Sequence, residues 1–183
     1  MIKLRVFAFA SILLLAGCVG QKDGNDTRSS EEIDNRGYIV KIGDKAPDFT
    51  VETIHGVTFT LSENKGKVIV LQFTASWCRV CHIKMPHLEN NLWLPLKDKD
   101  FILIGIDRDE PFEVVKEFAK KTGVTYPLAL DPGGKVFHLY AEKNAGITRN
   151  VVIDKNGKIA FLTRLYDEEE HAEMKKAILK LLN

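Results

Sequence analysis

The chain has 183 residues, 45% of them hydrophobic and 28% charged. That length fits one domain with appendages, and that composition supports a packed core and excludes global disorder. With 26 basic and 25 acidic side chains it is near neutral, without the electrostatic footprint of a nucleic-acid-binding surface.

The first elements read as an export signal. Lys3 and Arg5 form a basic start, and residues 6–15 are apolar except for Ser11. The run falls short of the roughly 20 residues that a membrane span needs. It ends in Leu15-Ala16-Gly17-Cys18, which resembles the bacterial lipobox. That resemblance implies removal of residues 1–17 and a lipid anchor on Cys18, with the membrane as a partner. The remaining chain would carry 24 basic and 25 acidic groups. Residues 18–37 are polar, lack aromatic side chains and read as a flexible tether. Residues 38–183 read as one domain in the cell envelope, facing the periplasm. Export removes nucleic acid as a partner.

From Tyr38 the patterns are those of an α/β domain. Residues 49–52 and 58–61 flank Ile54-His55-Gly56 as a hairpin. Val68 to Phe73 is a continuous apolar run, which predicts a strand covered on both faces. A helix is expected to start near Cys78, with Pro86 kinking or shortening it. Phe101 to Ile106 predicts a second buried strand. Pro111 opens a helix whose apolar face is Val114, Val115, Phe118 and Ala119, and Gly123 stops it. Gly133 to Ala141 reads as a short helix. Residues 150–153 and 159–163 are strands around Asp154-Lys155-Asn156-Gly157, where Asn-Gly suits a tight turn. Asp167 caps the last helix, with Glu170 as capping-box partner. Its predicted inner face is Met174, Ile178, Leu181 and Leu182.

The only other cysteines are Cys78 and Cys81, in Trp77-Cys78-Arg79-Val80-Cys81. Outside the cytoplasm such a pair can oxidise to itself. It closes too short a loop to constrain the unfolded chain much, so stapling is a poor explanation for it. Dithiol exchange needs an attacking thiolate and a second thiol to resolve the mixed disulfide. A first cysteine at a helix N-terminus, with unpaired N–H groups nearby, has its thiolate favoured. Cys78 is then the nucleophile and Cys81 the resolving thiol. No cofactor or metal is called for.

Other chemistries fit parts of the motif. Cys78-x-x-Cys81-His82 also matches the attachment motif of c-type haem, but no cytochrome-like helical pattern surrounds it. Zinc would find Cys78, Cys81, His82 and at most His87, with no second ligand pair. A peroxiredoxin motif fails at Leu71 and Ala75. A binding module with a vestigial C-x-x-C is the remaining alternative.

The buried strand, Trp77-Cys-x-x-Cys, Met85-Pro86 and Lys45-Ala46-Pro47-Asp48-Phe49 together resemble the TlpA/ResA-like family of thioredoxin-fold thiol–disulfide oxidoreductases, over residues 42–182. The resemblance implies an α/β thioredoxin fold: a central mixed sheet flanked by helices, with an N-terminal β-hairpin extension. It implies an exported protein disulfide as substrate, a membrane thiol reductase as electron donor, and the reducing direction. In such proteins the Trp covers the sulfurs.

The chain departs from that pattern at three places. The family's cis-proline loop corresponds to Gly146-Ile147-Thr148-Arg149-Asn150, with Thr148 in place of Pro. A non-proline cis bond costs about 2.5–4 kcal/mol, so Thr148 is expected to be trans, with its hydroxyl in reach of Cys78. Gln72 stands where thioredoxin has a buried Asp, and Lys84 where relatives often carry Glu. Neither supplies a carboxylate base, which leaves Glu52 and water as substitutes. Arg79, His82 and Lys84 are expected to place positive potential near Cys78 and lower its pKa, with Arg79 and Lys84 as a solvated helix face the alternative. Val80 and Ile147 complete the expected site.

Overall fold

A computed structural model describes residues 36–183. The expected signal, Cys18 and all of the tether except Arg36 and Gly37 lie outside the described residues.

Five strands make the central sheet in the order β5-β4-β3-β6-β7. β3 (Val68–Thr74) is buried at all seven positions, which is why its sequence is apolar without alternation. β4 (Phe101–Arg108) runs parallel to it, pairing Val68 with Phe101 and Thr74 with Asp107. β6 (Arg149–Ile153) lies antiparallel on the other side of β3, and β7 (Ile159–Arg164) pairs with β6. α1 (Arg79–Leu88) links β3 to β4, and α5 (Glu168–Leu182) closes the chain. A separate antiparallel hairpin, β1 (Thr50–Glu52) and β2 (Thr58–Thr60), precedes the sheet. This is the thioredoxin-type mixed sheet that the resemblance implies, with its hairpin extension.

Alternation along β3 decides which residues meet which helix. Phe73 packs its ring on Phe137 and Tyr140 of α4 (Phe137–Tyr140), at 5.5 and 5.6 Å between centroids. Its neighbour Thr74 points the other way, with Oγ1 3.4 Å from Met85 Sδ of α1. The redox helix and α4 therefore cover opposite faces. Arg36 pairs with Glu170, and Arg149 Nη2 donates to Arg36 O at 3.3 Å, so the start of the described chain is tied to the domain.

Several elements differ from the sequence expectation. β5 (Leu128–Asp131) was not expected; it extends the sheet parallel to β4 after α3 (Phe112–Thr122). Its four residues between Pro127 and Pro132 carry too little pattern to stand out. Pro86 does not end the helix. Winding continues through a π-helical turn (Glu89–Trp93) into α2 (Leu94–Leu96). Pro86 has no N–H to offer His82, and Glu89 N–H reaches both Met85 O and Pro86 O.

Val114 is 38% exposed, whereas Val115 and Phe118 are buried. Leu181 and Leu182 are only half-buried. Asp167 does cap α5, accepting from Glu170 N at 2.8 Å. The Glu170 carboxylate completes no capping box; it takes Arg164 N–H and Arg36 instead. In the β6–β7 turn only Gly157 has positive φ, at 81°, and Asn156 does not.

Candidate active site

β3 delivers the chain to the redox motif, and two groups pin the turn that follows. Glu110 accepts from Ser76 N at 2.5 Å and from Ser76 Oγ at 2.6 Å. On the other side His82 Nε2 lies 2.7 Å from Ser76 O, with its ring against Phe118. Cys78 is then the N-cap of α1, in extended conformation, and its Sγ accepts from Cys81 N at 3.2 Å. That is the place in a helix where an anion on sulfur is favoured. Cys78 and Cys81 form a disulfide, with Cα atoms 5.3 Å apart. Cys78 is 7% exposed and Cys81 is fully buried.

The loop before β6 closes over the pair. Thr148 Oγ1 is 2.9 Å from Cys78 Sγ and 3.4 Å from Cys81 Sγ. Both Ile147 and Thr148 are buried, and the peptide bond before Thr148 is trans. Thr148 O is held by Leu165 N–H at 3.0 Å and by Arg164 Nη1 at 3.2 Å.

The remaining expected residues divide by burial. Trp77 is 65% exposed, so it is more open than a cover over the sulfurs would be. Arg79 is exposed and Val80 half-buried. Lys84 is neither a solvated residue nor part of a surface cluster with Arg79: it is 2% exposed, because the end of β7 and α5 lie over it. Desolvation there pulls its pKa down to about 7. Gln72 is buried and accepts from Tyr126 OH at 2.7 Å. Glu52 is exposed on the hairpin.

One acid escaped the sequence reading. Asp107, fully buried at the end of β4, sits opposite Thr74 on the α1 side of the sheet. Neither of its oxygens meets a donor among the described residues. Burial first, and then the Glu110 carboxylate beside it, pushes its pKa up to about 8. At neutral pH it holds a proton, which it can donate to Glu110. The sequence signal was an acid directly after the apolar run of residues 101–106. A groove of about 480 Å³ opens beside this cluster, lined by Ser76, His82, Glu113, Glu117, Phe118 and Lys121.

A mixed sheet whose central strand runs into Trp-Cys-x-x-Cys at a helix start, with the cysteines joined, defines a thioredoxin-fold thiol–disulfide oxidoreductase. The chain belongs to the Redoxin family, whose model matches residues 41–178. It is 30% identical over 176 residues to the thiol-disulfide oxidoreductase ResA of Bacillus cereus, covering 96% of this chain and 95% of that one. ResA of Bacillus anthracis is 31% identical over 154 residues, 84% of each chain. Among solved structures, a candidate protein disulfide isomerase from Bacteroides thetaiotaomicron is 60% identical, with a TM-score of 0.78. The match covers 80% of this chain and 92% of that one. A candidate thiol:disulfide interchange protein DsbE from Chlorobium tepidum is 28% identical, with a TM-score of 0.70 over 79% and 99% of the two chains.

Proposed function

We propose that the protein reduces disulfides in exported proteins, held at the membrane by a lipid on Cys18 and recharged by a membrane thiol reductase. The observation that carries the chemistry is Cys78 at the start of α1, its sulfur accepting Cys81 N–H and lying 2.9 Å from Thr148 Oγ1. Both contacts favour a thiolate there once the disulfide is reduced. Cys78, the more exposed sulfur, attacks a client disulfide; one client sulfur leaves as a thiolate and the other is joined to Cys78. Cys81 then gives up its proton and attacks Cys78 Sγ, releasing the second client thiolate. Two electrons have passed to the client, and Cys78–Cys81 is again a disulfide. Trp77, Val80 and Ile147 shape the approach, and the groove beside Ser76 and Phe118 gives the client chain a place to lie.

Insulin reduction by dithiothreitol tests this. The protein is expected to speed precipitation of the insulin B chain, and Cys78→Ser to abolish the acceleration. Equal rates in the two proteins would reject the catalytic role.

A further inference from the structure

Lys84 follows Cys81 by three residues, which places the two on the same side of α1 one turn apart. Lysine is almost never this buried without partners. Here Nζ donates to Leu165 O at 2.9 Å and to Thr163 Oγ1 at 3.1 Å. With the Asn150 amide oriented so that both its ends are satisfied, Nζ also donates to Asn150 Oδ1 at 3.0 Å. An ammonium has three N–H donors, and all three have a neutral acceptor. The cage thus fits the charged form, while burial opposes it.

The charges facing Lys84 come from three elements. Glu170 of α5 favours a proton on it, although that carboxylate is engaged by Arg36 and Arg164 N–H. Arg164 of β7 and Arg149 of β6 oppose one. His171 of α5 adds no charge, because burial first and then Lys84 itself lower its pKa to about 4 and keep that imidazole neutral at ordinary pH. The amine and ammonium forms of Lys84 are therefore close in free energy near neutral pH. A new charge on Cys78, at the N-cap of the same helix, decides between them.

A second link runs through the backbone. Leu165, whose carbonyl Lys84 holds, has a φ of 64°, unusual for a residue with a side chain. Its N–H holds Thr148 O, and the Thr148 hydroxyl touches both sulfurs.

We propose that Lys84 is a redox-linked proton site, which takes up a proton when Cys78–Cys81 is reduced and releases it when the disulfide re-forms. The oxidised pair is neutral, and the reduced pair carries a thiolate on Cys78. Disulfide, Lys84 amine, two electrons and two protons become Cys78 thiolate, Cys81 thiol and Lys84 ammonium. An external dithiol supplies both electrons and both protons and leaves as its own disulfide. On re-oxidation Lys84 returns its proton as the second client thiolate departs. Lys84 thereby does the proton bookkeeping for which Gln72 offers no titratable group and position 84 no carboxylate. The idea rests on Cys78–Cys81 being the redox centre.

The test is an NMR titration of the Lys84 side chain in lysine-labelled protein, oxidised and then reduced with dithiothreitol. Alkylation of Cys78 and Cys81 before and after verifies the redox change. The midpoint is expected near pH 7 when oxidised, with at least tenfold higher proton affinity when reduced. Coupling is reciprocal, so Lys84→Met should weaken Cys78 thiolate formation by a similar factor, read at 240 nm. Equal Lys84 midpoints in the two redox states overturn the proposal, as does an unmoved Cys78 midpoint in a folded Lys84→Met protein. Cysteines that cannot be cycled would instead overturn the redox site itself. The wild-type titration stands alone should Lys84→Met fail to fold.

Discussion

Thr148 makes the most specific contact with the redox pair. Its hydroxyl lies 2.9 Å from Cys78 Sγ, the contact expected once Pro was seen to be missing there. A hydrogen bond to a charged group contributes about 1.5–3 kcal/mol, and about 1.4 kcal/mol corresponds to one pKa unit. Thr148→Val, which keeps the shape and removes the donor, is therefore expected to raise the Cys78 thiol pKa by about one unit. Thiolate absorbance against pH in the reduced protein checks this. Sequence could indicate that hydroxyl because the motif fixes where loop and sulfurs meet. Lys84 was harder to place. Helical spacing says which residues share a face, but only the β7–α5 segment, distant in sequence, determines that this face is covered.

At the scale of elements, legibility followed pattern length. β3 and β4 are long enough for continuous apolar runs to reveal them, and the cap at Asp167 is a local signal. β5 has four residues and takes its place from pairing with β4, which no local pattern encodes. The helix around Pro86 shows a related limit. The proline marks a missing hydrogen bond, but the outcome depends on what holds the next turn. Glu89 at the start of the π-helical turn accepts from Thr125 N at 2.9 Å and Thr125 Oγ1 at 2.5 Å, anchoring that turn to the segment before β5. Trp93 Nε1 adds a bond to Thr125 Oγ1 at 3.0 Å. Those contacts keep the chain winding past Pro86 and connect the redox helix to the α3–β5 connection.

At the scale of the whole molecule, Asp107, His171 and Lys84 are buried groups among the described residues whose shifted pKa values make stability depend on pH. Asp107, raised to about 8, holds a proton in the folded state that the unfolded chain has lost above about 4. Its contribution therefore falls as pH rises from about 4 to 8. His171, lowered to about 4, acts oppositely up to its ordinary value of 6.5. Lys84, lowered to about 7, makes the fold gain stability from about 7 towards 10.5. Asp107→Asn removes only the falling component. Relative to the parent, the variant should gain stability with rising pH between about 4 and 8, by at most about 1.4 kcal/mol per unit. Denaturant unfolding of both proteins across that range checks the sign. A constant difference between them would mean that Asp107 is ionised throughout.

Asp107 lies opposite the end of β3, and Lys84 lies one turn along α1 from Cys81, half of a disulfide that must open and close for the protein to act. The most direct measurement equilibrates the protein with reduced and oxidised dithiothreitol at graded ratios, then traps and maps free thiols at Cys78 and Cys81. A single reversible two-electron transition, with both cysteines labelled or neither, is the predicted result. A pair that stays bridged, or stays free, at every ratio would contradict the account.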